Sequence, residues 1–215
     1  MNNSILLSII LLGVTFIWIY FFFPYPSLKF SSTNFLSIVF GVLSAIIFFF
    51  SKTLVVRIAS FPNLALWVFL FSFILVLFQN FLKTLFPFII FKVKRSNPLI
   101  LGGLCGAFFG FTESVISILT NSNYNMILAE EIFKIGLSTS LMILIFYGLT
   151  KKRLILYFLL AVVIQTFIVA VPIITNLQGA SSVWYLVVAS SIVIIISKFI
   201  VLKNLKFNMN LISKK

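Results

Sequence analysis

Residues 98–149 read PLILGGLCGAFFGFTESVISILTNSNYNMILAEEIFKIGLSTSLMILIFYGL, and this stretch decides the fold. Two apolar runs flank a short polar loop, TNSNYN. Each run is long enough to cross the roughly 30 Å hydrocarbon core of a bilayer as a helix. All three acidic residues of the chain lie here, as Glu113, Glu130 and Glu131, with Lys134 one helical turn beyond the pair. Ionisable groups at membrane depth are costly, so they face protein or a cavity and mark a site or an ion pathway.

The remaining sequence repeats the apolar pattern. Of 215 residues, 62% are hydrophobic and 9% charged, and the mean hydropathy is +1.24. Such a composition belongs to an all-α, polytopic helical membrane protein. Seven spans are expected, at about 4–23, 34–50, 63–91, 98–119, 126–149, 154–174 and 182–202. The third carries Gln79, Lys83 and Pro87, and its length suits a tilted or kinked helix. No linker divides the chain, so residues 1–215 are expected to form one integral membrane domain. The first apolar run lacks a basic leader and a small-residue cleavage site, and is expected to be a retained helix.

A formal charge of +13 suggests nucleic acid at first sight, but the basic residues flank apolar segments. They read as topology signals and contacts to anionic lipid headgroups. Lys29, then Lys92, Lys94 and Arg95, then Lys151, Lys152 and Arg153, then Lys203, Lys206, Lys214 and Lys215 fall after odd-numbered spans. Only Lys52 and Arg57 fall after an even one. The positive-inside rule therefore predicts an outside N-terminus and a cytoplasmic C-terminus. Abundant Phe, Ile, Asn and Lys suit an AT-rich bacterial genome, so a multi-pass protein of a bacterial plasma membrane is expected.

Several chemistries are disfavoured by what is missing. There is no histidine, the commonest general base and zinc ligand, so zinc is not expected, the metal set is empty and any cofactor is left open. The single cysteine, Cys105, excludes an intramolecular disulfide and suits a small buried residue in a Gly-rich helix. Within the hairpin, Glu113 and Glu130 are equidistant from the loop centre between Asn121 and Ser122, roughly 13 Å along each helix. Lys134 is i+4 from Glu130 and i+3 from Glu131 and can pair with either. Gly102, Gly106, Gly110 and Ser114 form a small-residue stripe that lets another helix backbone approach closely.

AEEIFK, residues 129–134, matches an EExxK pattern, and GAFFGFTES, residues 106–114, resembles the GFxxxE-type motif of the PrsW-like and CAAX-processing (Abi) intramembrane proteases. The order is reversed relative to the PrsW-like pattern. A second register, similar to the YhfC-like branch and covering about 75 residues, restores the order with Gln79, Asn80 and Lys83 in the EExxK position. There the first two glutamates have become amides and both histidine positions are lost. In the first register the resemblance implies Glu130 as base, Lys134 as its charge partner, and Glu113 and Glu131 assisting. In the second, Gln79, Asn80 and Lys83 are expected to bind substrate, and the fold outlives hydrolysis.

Three functions follow as expectations. One is a glutamate-dependent intramembrane peptidase, or a degenerate relative that binds a transmembrane or lipidated peptide in maturation or immunity. The second is a small transporter or substrate-binding subunit using intramembrane glutamates for cation or proton coupling. The third is a structural subunit of a membrane complex, its partner another membrane subunit. The lipid bilayer is a partner in all three, and nucleic acid in none.

The charge bias has a direct check. In a Cys105→Ala background, Asn123→Cys is expected to react with an impermeant maleimide in intact cells, and Lys152→Cys only after permeabilisation. The opposite labelling would invert the topology.

Overall fold

A computed structural model describes residues 3–23, 31–58, 65–94, 96–120, 124–175 and 180–212. Lys29, Arg95, Asn121, Ser122, Lys214 and Lys215, and the side chains of Arg57 and Lys206, lie outside the described residues. The described chain is helical throughout: α1 (Asn3–Phe22), α2 (Ser32–Ile58), α3 (Ala65–Lys94), α4 (Pro98–Thr120), α5 (Tyr124–Thr150), α6 (Leu154–Ile174) and α7 (Ala180–Ile212). All seven are long and apolar enough to cross a membrane. Helices are what lipid demands, because a backbone N–H or C=O without a partner costs several kcal/mol in hydrocarbon. α2 and α7 extend further than their apolar runs, to Ile58 and Ile212. α3 continues through Pro87 as one helix of 30 residues, roughly 45 Å long, more than the hydrocarbon core requires.

Local chemistry reinforces the helices. Hydroxyls along the apolar faces donate to the carbonyl one turn back, as Thr15 does to Leu11 O at 2.8 Å and Thr139 to Ile135 O at 2.8 Å. Asn97 caps α4, its Oδ1 accepting from the Leu99 N–H at 3.0 Å. Pro98 follows as the first helical residue, where no N–H is needed. Lys152, with φ of 56°, makes the left-handed turn that ends α5 and lets α6 start at Leu154.

The α4–α5 hairpin is the hub. In their most apolar windows 72% of residues are buried in both α4 and α5, against 22% in α1 and 28% in α7. The small-residue stripe explains why. A Cβ on Gly106 would stand 2.6 Å from Ser138 O, and one on Gly110 2.9 Å from the Cα of Ile135. Next along the stripe, the Ser114 hydroxyl donates to Glu131 O at 3.4 Å. On another face of α4, a Cβ on Gly41 of α2 would stand 2.5 Å from Cys105 O. Cys105 is itself buried, as its Gly-rich setting predicts.

Around the hairpin, α1 and α2 pack on α4, α7 packs on α5, and α3 and α6 pair along one side. Polar pins cross these seams: Trp18 Nε1 to Ile132 O at 3.0 Å, Ser44 Oγ to Leu82 O at 3.2 Å, and Ser197 Oγ to Ser140 O at 3.0 Å.

Because the seam leaves no room for a side chain, Gly106→Val is expected to destabilise the protein by about 1–3 kcal/mol. At Gly13 a Cβ would meet nothing within 4 Å, so Gly13→Ala is expected to be neutral or slightly stabilising. Thermal unfolding in nanodiscs reads both. Equal effects would show that the stripe is not the seam.

Candidate functional site

α3, α4 and α6 converge on a chain of side-chain amides that ends on an acid. Asn80 Nδ2 donates to Gln165 Oε1 at 2.7 Å, and Gln165 Nε2 donates to Gln79 Oε1 at 2.7 Å. Gln79 Nε2 then donates to Glu113 Oε2 at 3.1 Å. Every donor points the same way, so the chain delivers an N–H to the carboxylate and holds each amide in one orientation. Asn80 also donates to Val76 O at 3.0 Å, one turn back on its own helix. All three amides are buried. Such interhelical bonds average about 0.6 kcal/mol in membranes, so their orienting effect outweighs their contribution to stability.

A second polar cluster stands on α5. Lys134 Nζ lies 2.7 Å from Glu130 Oε1 and 3.0 Å from Glu131 Oε1. The pairing expected from the spacing is thus shared between both acids. The two acids differ in setting: Glu131 is 1% exposed, with Oε2 lacking a hydrogen-bond partner, whereas Glu130 is part-exposed.

The clusters meet at two adjoining cavities. The larger, about 300 Å³, is walled by Phe48, Phe71, Leu75 and Ile168 and presents Gln79, Glu113, Lys134, Ser138 and Gln165. The smaller, about 180 Å³, presents Glu113, Glu131 and Lys134. Lys52, exposed near the end of the α2 span, lines both. Polar side chains from Lys52, near the end of the α2 apolar run, to Gln79 and Gln165 thus line the adjoining cavities.

Of the residues singled out in the sequence, the structure brings Gln79, Glu113 and Lys134 to one cavity, and Glu113, Glu131 and Lys134 to the other. Glu130 pairs at the edge, and Asn80 stands behind Gln165 as its donor. Lys83 departs from the pattern of a snorkelling lysine. It is fully buried, and its Nζ lacks a hydrogen-bond partner and rests 4.7 Å from the centroid of the Phe109 ring. Its backbone carbonyl accepts from Cys105 Sγ at 3.4 Å.

Sequence reasoning left out Gln165, whose solitary amide in an apolar span reads as helix glue. It is glue, but between Asn80 and Gln79, which makes it the middle link to Glu113. Ser138 was also missed, since a serine in an apolar helix carries no pattern of its own. Lys198 of α7 hydrogen-bonds to Phe21 O at the end of α1.

The arrangement can bind; its means of moving protons are narrow. Amides do not take up a proton at neutral pH, and the carboxylates on α5 both face Lys134. Among the described residues, no three His, Cys, Asp or Glu side chains gather in a group that could hold a metal ion. No family model, curated protein or solved structure matches the chain.

Lys134 is the countercharge for two acids. Lys134→Met is expected to destabilise the protein on the order of 1–3 kcal/mol. That is less than for a fully buried pair, because about a third of the Lys134 side chain is exposed. Lys134→Arg should restore most of the loss in unfolding experiments. A neutral Lys134→Met would show that the pairs contribute nothing.

Proposed function

We propose that this is a membrane-embedded binding protein for a transmembrane or lipidated peptide, a degenerate relative of the glutamate-dependent intramembrane proteases. The observation that carries the reading is the bond from Gln79 to Glu113. In the YhfC-like register Gln79 and Asn80 stand where glutamates would be, and helix neighbours in that pattern should face Glu113. The contact favours this register over the one that makes Glu130 the base. Water activation for peptide hydrolysis needs a carboxylate free to take a proton, an imidazole or a metal. Here the motif positions carry amides already occupied with one another and with Glu113. The apolar walls of the larger cavity, with a few polar groups set among them, suit recognition of a segment inserted in the membrane. The proposed setting is a bacterial plasma membrane, with the cavity mouth toward the outside.

One observation favours a transporter instead. The buried, unpartnered Oε2 of Glu131 beside the smaller cavity is what a proton-relay carboxylate would present.

Reconstitution separates the readings. In liposomes, wild-type protein and Glu113→Gln are both expected to leave fluorogenic single-span peptides uncleaved. A photoreactive phenylalanine in place of Leu75 is expected to cross-link an added synthetic single-span peptide, with competition by unlabelled peptide. Cleavage by wild type that disappears in Glu113→Gln would make the protein a peptidase. Proton or cation flux lost in Glu131→Gln would make it a transporter.

A further inference from the structure

We infer that the larger cavity recognises an amine: the group that completes Glu113 is an ammonium borne on an apolar body, such as the N-terminus or a lysine of a membrane-inserted peptide. The inference rests on this cavity being a ligand site. Among the described residues Glu113 makes no ion pair, and its carboxylate, with about four acceptor positions, receives the single N–H of Gln79. The other two acids differ, since both already face Lys134. Lys134 therefore brings little net positive charge to the cavity, and Lys52 stands exposed near the end of the α2 span. Buried Lys83 lies within electrostatic reach of Glu113 but makes no ion pair with it and is not among the residues that line the cavity.

A second, independent group on the lining is a polar side chain without a partner, which can accept from a ligand. Ser138 is 6% exposed and lines the same cavity, and its Oγ has no hydrogen-bond partner. An ammonium has three N–H groups, so it can serve Glu113 and still donate elsewhere in the cavity. The aromatic side chains of Phe48 and Phe71 also border the cavity, and aromatic rings are compatible neighbours for a cation. A carboxylate or phosphate ligand would instead set like charge against Glu113, and a neutral ligand would leave that acid without an ion-pair partner.

Binding of decylamine, decanol and decanoate to the protein in nanodiscs, by calorimetry with empty nanodiscs subtracted, tests this at pH 7. Decylamine is expected to bind wild type about tenfold more tightly than decanol, as a charge-assisted hydrogen bond warrants. Glu113→Gln should bring the two within about twofold of one another, and Glu113→Asp should keep part of the preference. The wild-type comparison stands whether or not the variants fold. Equal binding of amine and alcohol, or preference for decanoate, would overturn the amine while leaving the binding cavity intact. Absence of saturable binding for all three would overturn the cavity as a ligand site, and the amine with it.

Discussion

The close approach of α4 and α5 is the constraint on which the rest depends. In a bilayer, helices gain nothing by hiding apolar surface from lipid, so association relies on packing and on hydrogen bonds between backbones and short side chains. Gly106 and Gly110 bring α4 onto Ser138 and Ile135 with no space for a Cβ. That contact turns Glu113 and Ser138 toward the same cavity from two different helices. A wider seam would separate the acid from the hydroxyl, and Lys134 from the cavities it lines.

The polar groups then sort by countercharge. Lys134 serves Glu130 and Glu131, while Glu113 is served by a row of neutral amides. These are different solutions to the cost of polarity in a low-dielectric interior. Ion pairing compensates charge directly. An oriented amide chain compensates through aligned dipoles and leaves the acid open on its cavity side. Lys83 adopts a third solution, with its stem buried and its ammonium against an aromatic face.

How much of this was legible follows from the kind of signal each residue carries. Seven helices are visible in the sequence because apolar length alone defines a span, and the boundaries differ mainly where α2 and α7 continue into polar residues. The pairing of Lys134 with either acid was visible because i,i+3 and i,i+4 spacing is local geometry, and the structure shows it pairing with both. The partnership of Gln79, Gln165 and Asn80 was not. Gln165 lies 86 positions from Gln79 and 85 from Asn80, and an amide bears no mark of the helix it will meet. The burial of Lys83 was equally hidden, since a lysine in an apolar helix can snorkel or turn inward depending on its neighbours.

The sequence by itself determined that this chain is a helical, multi-pass membrane protein with its few acids in one hairpin. Hydropathy is summed along the chain and needs no partner to be read. Only the tertiary structure decided which acid lacks an ion pair. That depends on which helix faces set Gln79, Gln165, Ser138 and Lys134 beside one another, and helix rotation is settled by packing between segments distant in the chain.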